Sequence, residues 1–259
     1  MPITLSFFDV VGDHGLTFAS PLFDITGFSI ELIHLDVMHV LDLGVSQYLA
    51  GAVLRELVEN NFCRSTAAYA EMRRFDCIKA LRKHLASFYK EDVPERSTRS
   101  RIGRLTLPML GTQRAKPRLH SKAAECRHLI PLLVKLCDDY SVFLGERGAY
   151  LRVCCKSMHD FYQTMAAEKR DMSEPGLQRL QNSMVRFLIN WKAYAGHLVY
   201  KHHCFWHLAE RARRHGNPRY YWTYADEGEN RVMGTVAKRL HGSMNFYLSF
   251  LQRVLPERA

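Results

Sequence analysis

Three short stretches of this sequence hold side chains of the types that carry chemistry. Asp36-Val37-Met38-His39 sets a carboxylate and an imidazole three residues apart, just ahead of an apolar-periodic segment. At a helix start that spacing puts both on one face, where they can hydrogen-bond to each other or share a metal ion. An aspartate N-cap followed by a half-buried histidine is the structural alternative. Lys201-His202-His203-Cys204-Phe205-Trp206-His207 offers His203 and His207 four apart and Cys204 and His207 three apart, spacings that one metal ion accepts on a helix. A structural zinc needs a complete ligand set. The other candidate group, Cys154-Cys155 with His159, places two cysteines side by side, a poor arrangement for one tetrahedral ion. The third stretch runs from Gly216 to Asn230 and joins Arg219-Tyr220-Tyr221-Trp222-Thr223-Tyr224 to the acids Asp226, Glu227 and Glu229. Acids in a first helical turn complement the helix dipole. Aromatics interleaved with cations either stack on unpaired bases or fill a core.

The elements that must position these groups read as mainly α. Residues 1–34 are mixed aromatic, β-branched and turn-rich, which predicts a short strand or irregular segment. From Asp36 on, Leu41, Val45, Tyr48 or Leu49, Ala52 or Val53, and Leu57 recur at helical spacing. A second helix is expected after Ser65 as N-cap, with Tyr69, Met72, Phe75, Ile78, Leu81, Leu85 and Phe88 on its packed side. Residues 91–120, with Pro94, Pro108 and Pro117, form a connecting loop. Helical spacing resumes from Ser121 to Leu136, where Pro131 is expected to kink the helix. It continues over 148–169 and 174–200, and a helix ends at Gly216. An aromatic strand then leads to an acid-bearing helix. The division that follows is 1–34, a helical region 35–200 containing the loop, and a C-terminal part 201–259.

With 259 residues, 47% hydrophobic and 24% charged, the chain has the balance of a globular protein of one large domain. No apolar run reaches the length of a membrane span, and the first residues lack the basic region of a signal peptide. Seven scattered cysteines, an odd number, suit a reducing compartment. The net charge of +10 favours a polyanionic partner. Residues 94–127 hold nine Lys/Arg against Glu95 and Glu125, so most of that excess sits in one stretch. It is either a solvated loop or a phosphate-contacting one, through Arg96, Arg99, Arg101, Arg104, Arg114, Lys116 and Arg118. Arg211, Arg213 and Arg214 are further candidate phosphate contacts. The sequence holds neither a nucleophile elbow nor a phosphate-cradling glycine loop.

Taken in order, these blocks resemble CACTA-type DNA transposases. Leu35-Asp36-Val37-Met38-His39-Val40 is similar to their Asp-x-x-His motif. Lys122-Ala123-Ala124-Glu125-Cys126-Arg127 looks like the Lys-x-x-Glu-Trp-Arg segment of their helical insertion, with Cys126 at the aromatic position. His202 through Lys238 resembles their last stretch, a His-rich segment, an Arg-rich helix, a Gly-x-Pro turn, Tyr-x-Trp-x-Tyr and a Glu-bearing helix. The resemblance implies a helical insertion attached to a partial ribonuclease-H-like core with few short strands. In such a core three carboxylates hold two Mg²⁺ or Mn²⁺ ions for phosphodiester cleavage. It carries the catalytic glutamate to Glu227, with Glu229 as fallback and Asp226 as a weaker one, and gives Asp36 and His39 an auxiliary role.

The first two catalytic aspartates of that family lie upstream of Asp-x-x-His, and only 35 residues precede Asp36 here. Glu227 would therefore bind metal only with carboxylates supplied from elsewhere, since one carboxylate cannot hold two Mg²⁺ ions. The expectation is a DNA-associated, nuclear transposase fragment without a complete cleavage site. Its partner would be a second copy or the missing N-terminal part of the same protein. The alternative is a helical protein-interaction scaffold with no nucleic-acid role.

Overall fold

A break in the first helix sets the arrangement of the rest. The computed structural model describes residues 24–29, 34–91, 100–111, 116–224 and 233–239. Leu35–Ala259 forms one compact unit and Met1–His34 another. Of the Met1–His34 unit only 24–29 and His34 are described, as a short turn and irregular chain; the rest of the expected short strand or irregular segment lies outside the described residues. Met38–Val45 is a π-helical segment in which Leu43 (φ −94°, ψ 15°) and Gly44 (φ −139°, ψ −105°) leave helical geometry. The kink strips carbonyls of their usual helical donors, and Lys201 Nζ supplies replacements to the carbonyls of His39 (2.7 Å) and Leu43 (2.9 Å). A Cβ on Gly44 would stand 2.4 Å from Lys201 Cδ, so this crossing requires glycine.

The chain then continues as α1 (Ser46–Glu59), α2 (Ala70–Glu91), α3 (Ala123–Asp139), α4 (Gly148–Ala167), α5 (Glu174–Ala195) and α6 (Tyr200–His215). No strand occurs among the described residues. The protein is mainly α, as its apolar spacing predicts. α4 and α5 pack as an antiparallel pair, α6 lies on α5, and α1 packs on α2, α3 and α4. The seam joining α4, α5 and α6 is aromatic. Phe161 meets Phe205 edge-on at 4.9 Å, Phe187 stacks on Trp191 at 5.9 Å, and Trp191 stacks on His202 at 5.3 Å. Each such fully buried ring contributes on the order of 2–3 kcal/mol. His202 is buried, and desolvation takes its pKa down to about 4, so the ring packs here as a neutral aromatic.

Local chemistry sets the helix ends. Ser173 Oγ accepts from the Gly176 amide (3.1 Å) to start α5, and Gly196, at φ 73°, ends it. α3 begins at Ala123 rather than Ser121, with Glu125 Oε2 accepting from the Lys122 amide at 3.0 Å. It runs through Pro131 to Asp139 as a single helix. Ser65 does not cap α2. Its hydroxyl donates to Asp76 Oδ2 (2.6 Å) and the helix starts five residues later. Ile78, Leu81, Leu85 and Phe88 are buried, but Tyr69, Met72 and Phe75 stand exposed.

The basic connection is tied closely to α1. The Leu119 amide donates to the Gln47 carbonyl at 2.8 Å, and the backbone of Arg118 passes 2.5–2.7 Å from where a Cβ on Gly51 would lie. Backbone cannot give way as a side chain can. Gly51→Ala is therefore expected to lower the melting temperature by roughly 2–10 °C, while Gly103→Ala, with nothing within 4 Å, leaves it near wild type. Thermal melts followed by far-UV circular dichroism check the pair.

Candidate functional site

The kink turns Asp42 into the protein, where it has no solvent exposure. Its Oδ1 accepts a short hydrogen bond from the Tyr162 hydroxyl of α4, and its Oδ2 accepts from the Tyr224 hydroxyl at 2.5 Å. The Ser46 hydroxyl lies 2.9 Å from that of Tyr162 and extends the network to α1. Arg127 of α3 brings Nη1 to 4.0 Å from Asp42 Oδ2, and its guanidinium lies over the rings of Trp222 (4.7 Å) and Tyr224 (4.8 Å). Burial pushes the Asp42 carboxyl up to about 6; Arg127 and the two hydroxyls favour the charged form without offsetting desolvation. Burial and the neighbouring Asp42 push both tyrosine hydroxyls well above their ordinary range. Chemically, this is a buried carboxyl able to take up or release a proton near neutral pH.

One turn earlier, Asp36 opens the same segment. Its Oδ1 accepts from the amides of Met38 (3.2 Å) and Thr223 (3.0 Å), and its Oδ2 from the His39 amide (3.1 Å), His39 Nδ1 (2.5 Å) and Thr223 Oγ1 (2.7 Å). Burial alone would raise its pKa, but the bonds from Thr223 and His39 prevail and hold it below the ordinary value. A carboxylate has about four lone-pair positions, and five donors saturate them. Asp36 and His39 thus cap the segment and lash it to Thr223. Neither Asp36, surrounded by donors, nor Asp42, facing a guanidinium, fits the open carboxylate set that a divalent cation needs. Among the described residues no group of three or more His, Cys, Asp or Glu is placed to hold a metal ion.

The segment carrying Thr223 and Tyr224 is held by Asn217, which is fully buried. Its Nδ2 donates to the carbonyls of Met165 (2.9 Å) and Glu168 (3.0 Å), its amide to that of Arg170 (2.8 Å), and its Oδ1 accepts from the Arg219 amide (3.1 Å). With Pro218 in the first turn, this bracket winds Pro218–Tyr221 into a 3₁₀ turn. The expected aromatic strand is therefore a tight turn followed by extended Trp222, with no neighbouring strand among the described residues to pair with.

The other sequence-marked groups fall as follows. Asp226, Glu227, Glu229, Arg96, Arg99 and Arg114 lie outside the described residues. Arg101 donates to the Tyr89 carbonyl (3.1 Å) and lies over that ring, while Arg118 donates to Gln47 Oε1 (2.9 Å). Arg104 and Lys116 are exposed. Arg213 forms a two-pronged pair with Glu174 at 2.6 and 2.5 Å on the surface; Arg211 and Arg214 share its helix. His203 and His207 approach to 3.1 Å on the outer face of α6, whereas Cys204 is buried on the inner one, so the spacing does not assemble one site. Asp42, Arg127 and Tyr162 carry the cluster without having been marked as a site. Their one sequence signal was an aspartate inside the apolar run Val40-Leu41-Asp42-Leu43.

No helix among the described residues is long and apolar enough to cross a membrane. No family model, no curated protein and no solved structure matches the chain.

Because Asp42 holds its proton more tightly folded than unfolded, its contribution to stability is complete below about pH 4. It is lost as pH rises through 6, a change of about 3 kcal/mol. Asp42→Asn should remove that fall, so the variant gains on wild type between pH 4 and 7. Urea unfolding at several pH values measures the difference; parallel profiles would mean that the carboxyl is solvated.

Proposed function

We propose that this chain is a transposase-derived fragment that associates with DNA and does not cut it unaided. The observation supporting the reading is a meeting in space. The three blocks that carry the resemblance contribute Asp36 and His39, Arg127, and Trp222 to Tyr224, and these side chains touch one another although up to 187 positions separate them. On this reading the helices correspond to a helical insertion. The C-terminal part belongs to a partial ribonuclease-H-like core whose remaining elements come from elsewhere in the assembly. Glu227, three positions beyond Tyr224, is the carried-over catalytic glutamate, with Glu229 as fallback. The carboxylates of Asp36 and Asp42 do not fit a Mg²⁺ or Mn²⁺ pair. A cleavage-competent site would have to draw its ligands from Glu227 and from carboxylates of another segment or copy. Nuclear location goes with this reading.

For DNA, charge placement divides the cations into two groups. Arg101 and Arg118 are committed to protein acceptors, whereas Arg104, Lys116 and Lys122, within the stretch that holds most of the excess charge, are exposed. Fluorescence anisotropy with duplex DNA over a range of salt is expected to give a steep log–log dependence. Arg104→Ala and Lys116→Ala should each reduce the slope by roughly 0.9. Arg118→Ala should instead lower thermal stability. Absence of binding above that of a neutral protein at moderate salt would favour the interaction-scaffold reading, for which the exposed Tyr69, Met72 and Phe75 provide an apolar face.

A further inference from the structure

Between α3 and α4 lies a cleft of about 540 Å³, within the size range of small-ligand sites. Its lining includes Arg127, His128, Lys135, His159 and Arg219, and no Asp or Glu among the described residues. The cations are arranged, not scattered. Arg127 and Arg219 converge on one ring, their guanidinium carbons 4.7 and 5.7 Å from the centre of Trp222. Lys135 lies eight residues along α3, roughly 12 Å from Arg127 at helical rise. Two guanidiniums thus stand against Trp222, and an ammonium lies farther along α3. Phe88, Ile130, Met165 and Gln163 line the same cleft. Burial and the charge of Arg127 hold the His128 pKa below its ordinary value, so the ring stands beside Arg127 as a neutral imidazole able to hydrogen-bond a ligand. A guanidinium pair suits the oxygens of a phosphate, and apolar walls with one amide suit a flat heterocycle rather than a bare ion.

We propose that this cleft binds a nucleoside monophosphate, with the phosphate on Arg127 and Arg219 and the base against the apolar wall toward Lys135. Its source is either free nucleotide or the 5′-phosphorylated end of a DNA strand. The site goes beyond duplex association and does not depend on it. Duplex contacts are assigned to Arg104 and Lys116, outside the cleft, so loss of duplex binding with retained nucleotide binding would remove the DNA reading and keep this one.

Isothermal titration of the whole chain with AMP, with inorganic phosphate and with a 5′-phosphorylated single-stranded oligonucleotide tests the site. Arg219→Gln and Lys135→Gln alter exposed side chains, so folding is retained; Arg127→Gln, which would leave Asp42 facing a neutral group, is an auxiliary variant. AMP is expected to bind with a dissociation constant below about 1 mM, weakened roughly tenfold by each exposed-site variant. Binding of the oligonucleotide but not of AMP, with the same sensitivity, supports the strand-end source. The proposal is overturned if neither probe saturates, if binding ignores both variants, or if inorganic phosphate binds as tightly as AMP.

Discussion

A carboxylate taken out of water must be surrounded by donors or hold a proton, and Asp42 meets that demand with groups from three separate segments. Tyr162 comes from α4, Tyr224 from the C-terminal turn, and Arg127 from α3. An uncompensated buried charge costs several kcal/mol, so this group disfavours any packing that leaves one of those segments undocked. The same kink that points Asp42 inward frees the carbonyls taken by Lys201, which places the start of α6. Asp36 then adds the tie to Thr223. Within about seven residues, the opening of the first helix fixes the positions of elements more than 100 residues away.

Buried polar groups of this kind define geometry more than they add stability. Apolar seams such as Phe161 against Phe205 tolerate sliding, whereas a tyrosine hydroxyl either reaches a carboxylate or does not. Asp36 illustrates the functional consequence. Its side chain is spent on the backbone amides of its own helix and on Thr223, so the Asp-x-x-His pair here sets a helix start and a docking contact. The cationic cleft flanking Arg127 then shares a wall with the cluster, because the guanidinium that faces Asp42 also faces Trp222.

Much of the helical content was legible in the sequence because apolar side chains at three- and four-residue spacing report a buried stripe directly. Met158, Phe161 and Met165 on α4, and Leu180, Met184, Phe187 and Trp191 on α5, are buried where that spacing puts them. Tyr69, Met72 and Phe75 follow the same rhythm yet face solvent, since periodicity marks a face and not whether a neighbour reaches it. The Tyr220–Tyr224 stretch has strand-like composition, but Asn217 and Pro218 fix a turn through bonds to α4 that no local pattern displays. Arg101 and Arg118 read as free charge because their acceptors, the Tyr89 carbonyl and the Gln47 side chain, are distant in sequence. Asp42 was hidden for the converse reason: a carboxylate on a helix is ordinarily solvated, and only the partners from α3, α4 and the C-terminal turn make its burial tenable.

The central claim is that Asp42 is buried and bonded by Tyr224, joining the first helical segment to the C-terminal block. Carbon-13 NMR titration of aspartate side-chain carboxyls, in wild type and in Tyr224→Phe, addresses it directly. A resonance assigned to Asp42 that titrates near pH 6, and moves higher when the hydroxyl that favours its charged form is removed, is the expected result. A carboxyl titrating near the ordinary aspartate value of about 4, unchanged in Tyr224→Phe, would contradict the account and separate the two blocks.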